Sequence, residues 1–433
     1  MNKAIPIHTI SLGCPKNLVD SEYLLGGLPG RARPVDRPED AAVVLVNTCG
    51  FIRPAVEESL QEILGAAGAL RGLTPKPLLV VAGCLVSRYG DELKAGLPEV
   101  DLWLSTHELP DWPSKIANAL DRKAAPAPAR LFSSPPSYAY LKISEGCRHA
   151  CRFCTIPSIR GRLKSRGIPE LADEAKTILS TGRKEIILVA QDLTAYGQDL
   201  QGPENLRSLL ETLLPIKGLE RLRLLYLYPA GLDAALLDFL KDAGPPFVPY
   251  FDIPLQHAHP DILKSMGRPF SKDPRRVIDL VRSRFPEAAI RTSLIVGYPG
   301  ETRTHFNYLL NFVREVRFQH LGVFAFQAED GTPAAKMPGQ VGAKTRQSRR
   351  EAIMEAQAGI SEEWLSRFEG HELDVLVDAP HSEWPGLHVG RAWFQSPEID
   401  GVTYVSGPGV KPGAMVKATV EEAKTYDLVA LAG

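Results

Sequence analysis

Between Tyr138 and Gln327 the sequence alternates six times between a short apolar run and an amphipathic stretch of helical period. This repeat limits the possible folds more than any other feature of the chain. The runs are Tyr138–Ser144, Glu185–Gln191, Arg221–Tyr228, Val248–Leu255, Ala289–Gly297 and His320–Gln327. Runs this short and apolar read as buried parallel strands, and the segments between them are long enough for crossover helices. Leu206, Leu209, Leu210, Leu213 and Leu214 form one helix face, with Pro203 suited to its first turn. Phe306, Leu309, Leu310 and Val313 form another after Glu301, and a helix near Glu170 to Ser180 stops by Gly182. Six β/α units fall short of the eight that close a parallel barrel, so the pattern predicts an incomplete (β/α)6 barrel.

The flanking regions follow other patterns. Ile7–Leu12, Val43–Val46, Leu78–Val81 and Val100–Leu104 alternate with helix-length segments, which predicts an α/β doubly wound parallel sheet. Lys123-Ala-Ala-Pro-Ala-Pro and Ser133-Ser-Pro-Pro-Ser have linker composition. A helix is expected over Ala343 to Phe368. Beyond it, short alternating strands such as Leu373–Val377 and Ala414–Val420 predict a small β-barrel. The expected domains are therefore 1–120, a linker at 121–137, 138–368 and 369–433, in keeping with a chain of 433 residues.

A formal net charge of −1 excludes a protein that coats nucleic acid by bulk charge. Met1 to Ser11 has no long apolar run of the secretory kind, and no stretch approaches the ~20 apolar residues of a membrane span. The expectation is a cytoplasmic protein without a membrane partner. There, six cysteines read as metal ligands or redox groups rather than a disulfide scaffold.

The cysteines form two triplets. Cys147-Arg-His-Ala-Cys151-Arg-Phe-Cys154 follows the first barrel strand directly. A closed zinc site takes four protein ligands, and no fourth cysteine is near. Three thiolates on a [4Fe–4S] cube leave one iron open for a substrate. A zinc knuckle completed by His149 or a remote residue is the alternative. Cys14, Cys49 and Cys84 are separated by 35 and 35 residues, and each ends a predicted strand. Carboxyl ends of parallel strands share one edge, where ligands bind. Three small buried residues are the bland alternative. Three thiols in turns (Gly13-Cys14-Pro15, Thr48-Cys49-Gly50, Gly83-Cys84) favour a second three-thiolate cluster.

The Cys-x3-Cys-x2-Cys run, with an aromatic before its last cysteine, resembles the radical S-adenosylmethionine (SAM) signature. Over essentially its full length the chain resembles the methylthiotransferase family, which has an N-terminal methylthiotransferase domain, a radical SAM core and a C-terminal TRAM domain. Several strings are similar to the branch acting on a ribosomal protein. They are Ser11-Leu-Gly-Cys-Pro-Lys-Asn-Leu-Val-Asp-Ser-Glu22, Ile143-Ser-Glu-Gly-Cys147, Ala190-Gln-Asp-Leu-Thr-Ala-Tyr-Gly197, Asp252-Ile-Pro-Leu-Gln-His257 and Ile295-Val-Gly-Tyr-Pro-Gly-Glu301. The branch acting on transfer RNA typically has a Gly-Cys-Gln-Met-Asn-like string at the first cysteine. It has a Gln-Ser-Gly-like string where this chain has Gln256-His257.

The resemblance implies addition of a methylthio group to the β-carbon of an aspartate in protein twelve of the small ribosomal subunit. It implies two [4Fe–4S] clusters, held by Cys147, Cys151 and Cys154 and by Cys14, Cys49 and Cys84. SAM at the first cluster would yield a 5′-deoxyadenosyl radical, which takes a hydrogen from an unactivated carbon. The second cluster would present sulfur, and a second SAM would supply the methyl group. An electron donor and a sulfur source are further implied partners. The alternatives are a tRNA adenosine methylthiotransferase and a non-enzymatic iron–sulfur RNA-binding scaffold.

Candidates for SAM contacts are Gln191, Asp192, Gln256 and Gln327 at strand ends, Arg291 and Ser293 within the fifth strand, and Phe153 in the cysteine loop. Each has the alternative of a satisfied polar or core residue. Many radical SAM proteins carry a Gly-x-Ile-x-Gly-x-x-Glu-like stretch at the fifth strand. Here Ser293 stands at its first Gly, and Glu301 falls one residue late. His257 is a candidate for orienting the substrate carboxylate, and His259 reads as structural. Arg148, Arg152, Arg160, Arg162, Lys164 and Arg166 surround the cysteine loop and suit a carboxylate or ribosomal RNA, or a solvated face. From Gly370 to Gly433, four basic side chains stand against nine acidic ones, a net of −5 that suits a basic protein partner better than RNA phosphates.

Overall fold

The computed structural model describes residues 4–29, 32–122, 130–268 and 273–433. The expected linker falls partly on residues 123–129, outside the described ones. The chain forms two compact units. One takes the residues up to Ser133 together with Glu145–His149 and Cys154–Leu163, and the other takes Ser134–Ser144, Ala150–Phe153 and Lys164–Gly433.

The first unit is built on five parallel strands: β1 (Ile5–Ser11), β2 (Ala32–Pro34), β3 (Val43–Thr48), β4 (Leu78–Gly83) and β5 (Leu102–Ser105). Their order is β2-β1-β3-β4-β5. The central strand, β3, is buried throughout, because helices cover both faces. Its period of two divides the core. Val43 and Leu45 pack with Leu24, Trp112 and Ile116, whereas Val44 and Val46 pack with Ile63, Ala66 and Leu85. The doubly wound sheet is therefore as expected, with one addition. The edge strand β2 is three residues of Ala-Arg-Pro, too short and polar to show a period.

The second unit contains six parallel strands: β6 (Tyr138–Lys142), β7 (Glu185–Val189), β8 (Arg221–Leu224), β9 (Phe247–Asp252), β10 (Ala289–Val296) and β11 (His320–Ala325). They pair in sequence order, β6 at one edge and β11 at the other, as the incomplete (β/α)6 barrel requires. Helix starts are set by local capping. The helix Leu206–Leu213 begins at Asn205, whose side chain accepts from the Ser208 N–H at 3.0 Å while Ser208 Oγ accepts from the Asn205 N–H at 2.9 Å. Pro203 therefore lies outside the first turn, a correction to the sequence reading. The helix Arg303–Val316 starts with the same reciprocal cap between Thr302 and His305.

After the long helix Ala343–Ser366, β12 (Glu372–Pro380), β13 (His388–Arg391), β14 (Thr403–Ser406), β15 (Met415–Ala423) and β16 (Leu428–Ala432) close a small barrel in the order β12-β13-β14-β16-β15. Val375, Val377, Val405, Ala418 and Ala430 fill it. Buried polar groups join it to the starts of the parallel strands. Arg391 donates to Glu185 at 2.7 Å, Arg221 to the Arg391 carbonyl at 3.0 Å, and the Tyr250 hydroxyl to Asp400 at 2.6 Å. The small barrel thus covers the amino ends of those strands, opposite the carboxyl rim where parallel-barrel sites form. No described helix is long and apolar enough to cross a membrane.

Candidate active site

The strands β1, β3 and β4 are neighbours, and each delivers one cysteine to the carboxyl edge of the first sheet. Cys14 caps the helix Pro15–Gly26, Cys49 follows Thr48 directly, and Cys84 opens the helix Cys84–Gly96. The three turns press on one another. Gly13 has φ +87°, and a Cβ there would lie 2.7 Å from Cys49 Cβ and 3.0 Å from its Sγ. A Cβ on Gly50 would lie 2.8 Å from the Leu85 backbone, next to Cys84. Glycine at both places lets the cysteine-bearing backbones meet.

The string after Cys14 supplies the framework. Asn17 Nδ2 donates to the carbonyls of Leu12 and Thr48, each at 2.9 Å, which ties the first turn to the second. Asn47 donates to the Asn17 carbonyl at 2.8 Å and to Ser21 Oγ at 2.9 Å. Glu22 accepts from Arg130 Nε at 2.8 Å and from the Ser133 N–H at 2.6 Å. Asp20 accepts from Arg160 Nη1 at 3.0 Å. Arg160 also donates to Glu145 at 2.9 Å, to Asn17 Oδ1, and from Nε to Cys84 Sγ at 3.3 Å. Sequence reasoning grouped Arg160 with a basic run suited to a carboxylate or ribosomal RNA, or to a solvated face. The fold buries it against a thiol instead.

These surroundings set the thiols apart. Burial pushes the Cys49 thiol up to about 12, with the Phe51 backbone opposing and the other two thiols adding. Burial also raises Cys84, against the pull of Arg160. Burial acts upward on Cys14 as well, but Lys16, Arg160 and two backbone N–H groups outweigh it, and its thiol is held below the ordinary value. Three sulfur donors, two of them disfavoured as free thiolates, fit a site completed by a cationic iron–sulfur core, which favours the deprotonated ligand.

The second triplet lies on the loop after β6. Within the first unit the Cys147 N–H donates to the Gly161 carbonyl at 3.1 Å. Within the second, the Arg152 N–H donates to Met266 and the Arg152 carbonyl accepts from Ala334, at 3.1 and 3.0 Å. Arg268 Nη1 donates to Cys151 Sγ at 3.4 Å, and its guanidinium lies 4.4 Å from the Tyr228 ring centre. Phe153 packs against Met266, Tyr298 and Phe326. Backbone hydrogen bonds therefore hold the loop, and its donor set fits a cluster with three thiolates.

Among the candidate SAM contacts, Gln191 and Asp192 follow β7, Gln256 follows β9 and Gln327 follows β11, all toward the carboxyl rim. Asp192 accepts from the Thr194 N–H at 2.8 Å and its hydroxyl at 2.7 Å, shaping the rim turn. Ser293 lies in β10, where its carbonyl accepts from the Gln256 N–H at 2.8 Å. Arg291 stands apart from the others. It is near the start of β10, with Asp252 at 3.0 Å and Asp400 at 3.4 Å, so its guanidinium faces the floor of the barrel. One rim residue escaped the sequence reading. Tyr226 has φ +61° and Gln256 has φ +71°, conformations that neither residue type announces in a sequence. The Tyr226 N–H donates to Asp252 Oδ2 at 3.0 Å. Left-handed backbone at bulky residues costs about 1–3 kcal/mol and collects at functional rims.

His257 is fully buried, with Nε2 3.3 Å from Glu301 and Nδ1 accepting from the His259 N–H at 2.9 Å. Burial lowers its pKa although Glu301 opposes. Burial would raise Glu301, but His257, the Gly297 N–H and Arg349 hold its carboxyl below the usual range. His257 is thus occupied in bracing the rim, and His259 caps the helix Pro260–Ser265. Of the basic run, Arg148, Arg152, Arg162 and Lys164 are exposed, whereas Arg166 pairs with Glu170 and Glu174 at 2.6 and 2.7 Å.

Comparison with known proteins agrees with this architecture. Residues 141–313 match the model of the radical SAM superfamily, residues 6–105 that of the uncharacterized protein family UPF0004, and residues 370–432 that of the TRAM domain. A protein from Oleidesulfovibrio alaskensis named ribosomal protein uS12 methylthiotransferase RimO is 62% identical over 99% of this chain and 100% of its own length. The chain belongs to the RimO family. Other RimO proteins, from Nitratidesulfovibrio vulgaris and Aquifex aeolicus, are 60% and 43% identical, covering 99% and 98% of this chain and 100% and 96% of their own. The solved structure of the radical SAM methyltransferase TsrM from Kitasatospora setae is similar in fold. Its TM-score is 0.57 at 14% identity, over 90% of this chain and 77% of that one. As a RimO-family member the chain is a radical SAM methylthiotransferase, an enzyme that works with [4Fe–4S] clusters and SAM.

Proposed function

We propose that this enzyme adds a methylthio group to the β-carbon of an aspartate in small-subunit ribosomal protein uS12. The observation that carries the reading is identity of 60% and above, end to end, with proteins named for that activity. The mutual packing of the three turns that bear Cys14, Cys49 and Cys84 supports a second cluster site within the first unit.

In this reading Cys147, Cys151 and Cys154 hold the cluster that binds SAM, and Cys14, Cys49 and Cys84 hold the other. When bound, these groups supply the one-electron chemistry that breaks an unactivated C–H bond and the sulfur that replaces the hydrogen. The chain supplies position. Phe153, Gln191, Asp192, Gln256, Ser293 and Gln327 hold SAM at the carboxyl rim. Arg291 is left out, because two carboxylates occupy its guanidinium. The exposed Arg148, Arg152, Arg162 and Lys164 attract the substrate carboxylate. An electron donor and a sulfur source complete the reaction, and a ribosomal substrate places it in the cytoplasm.

Mass spectrometry of ribosomal proteins from cells with and without the enzyme tests this. The expected result is a methylthio mass on one aspartate of uS12 only when the enzyme is present. An unchanged uS12 alongside a newly methylthiolated tRNA adenosine would overturn the substrate.

A further inference from the structure

Arg160 meets the first cysteine triplet directly at Cys84 and through Asn17, the residue that ties the other two turns. Its side chain is 1% exposed. Nη1 donates to Asp20 at 3.0 Å and to Glu145 at 2.9 Å, and Nη2 donates to Asn17 Oδ1. Those three acceptors fix the plane of the guanidinium, and Nε is left directed at Cys84 Sγ, 3.3 Å away. Asn17 is itself anchored on Leu12 and Thr48, the backbone beside Cys14 and Cys49. One planar fork thus registers all three cysteine turns, and a lysine has too few fixed donors to repeat it.

We propose that Arg160 is a positioning residue that raises the reduction potential of the cluster held by Cys14, Cys49 and Cys84. The proposal rests on the reading of that triplet as a cluster site. A hydrogen bond from a cation to a ligand sulfur draws charge from the sulfur. Reduction adds negative charge to the cluster, so such a bond favours the reduced form. Asp20 and Glu145 act the other way, because they are anions in the same buried region. The potential is then set by a balance that can be moved in both directions.

The test uses the full chain with Cys147, Cys151 and Cys154 replaced by Ala, so that any cluster signal comes from the first triplet. Iron is counted per chain and the midpoint potential is read by a redox titration followed by electron paramagnetic resonance. Arg160→Lys should keep its iron and lower the reduced-to-oxidised ratio at fixed potential tenfold or more, which is 59 mV for a one-electron couple. Asp20→Asn keeps the arginine, removes one anion, and should move the potential upward. Opposite shifts distinguish tuning from general damage. Iron retained in Arg160→Lys with an unmoved potential would overturn the role of Arg160 alone. If Arg160→Lys loses its iron, the Asp20→Asn shift decides, and its absence overturns the proposal. A background chain that binds no iron overturns the cluster reading beneath it.

Discussion

Arg391, in the small C-terminal barrel, donates to Glu185 Oε2 at 2.7 Å, and the two side chains are 1% and 0% exposed. Glu185 opens β7 and also accepts from Arg223 at 2.7 Å. Arg391 reaches Asp378 on its own barrel at 2.7 Å. A buried ion pair adds little over a well-packed apolar pair, but breaking one by removing a partner costs about 3–5 kcal/mol. Arg391→Met should therefore lower the unfolding free energy by that order in denaturant titration. A loss under about 1 kcal/mol would show that the pair is not what joins the barrel to the strands.

The same carboxylate makes stability depend on pH. Burial would raise the Glu185 carboxyl, but Arg391, Arg223 and Arg221 outweigh it and hold its pKa at about 2, below its ordinary 4.5. A depressed carboxylate stabilises fully above its unfolded value and loses that contribution as pH falls through the folded one. The stability difference between the native chain and Glu185→Gln should be constant near neutrality and shrink between pH 4.5 and 2. Chemical denaturation of the cluster-free chain across that range reads it. A difference that grows as pH falls would reverse the assignment.

Anaerobically reconstituted enzyme should bind about eight irons, four for each cubane. Replacing Cys147, Cys151 and Cys154 together should halve the iron and abolish SAM cleavage. Replacing Cys14, Cys49 and Cys84 should also halve the iron but leave SAM cleavage measurable. Full iron in the second variant would remove the N-terminal cluster from the mechanism.

Gly13→Ala and Gly50→Ala test the close approach of the cysteine turns. Each new methyl group would meet atoms of a neighbouring turn at 2.7–2.8 Å, and Gly13 also has a left-handed φ. Iron should fall toward half while SAM cleavage persists, since the loop Cys147–Cys154 is untouched. Native iron content in both variants would mean that the turns can separate without losing the site.

The charge of the C-terminal barrel gives a test of partner choice. Glu383, Glu421 and Glu422 are exposed, so reversing them to Lys removes steering charge without breaking a buried contact. Association with isolated uS12 should slow, and the native affinity should fall with salt. Surface binding kinetics against uS12 and bulk tRNA would measure both. Tight binding of the native enzyme to tRNA, with none to uS12, would overturn the assigned substrate.

Much of the fold was legible because its signals are local. Apolar runs and helix faces marked the six parallel strands, and glycines marked the turns that carry Cys14, Cys49 and Cys84. The spacing of Cys147, Cys151 and Cys154 lies within one loop, so no tertiary information was needed to group them. The strand ends were less legible, because apolar residues such as Leu225 and Leu227 continue past β8 into a buried rim. The fate of charges was not legible at all. The acidic excess of the last domain reads as a single surface, yet Asp378, Glu398 and Asp400 face partners on Ser137, Tyr138 and Tyr250. Arg160 reads as one cation in a basic loop, and its acceptor Asp20 is 140 residues away. Hydrophobic period depends on neighbours two to four positions off, so the sequence alone marks the apolar strands and amphipathic helices, though not a short polar edge strand such as β2. Whether an ionisable side chain meets water, a carboxylate or a thiol depends on which faces come together, and only the tertiary structure decides that.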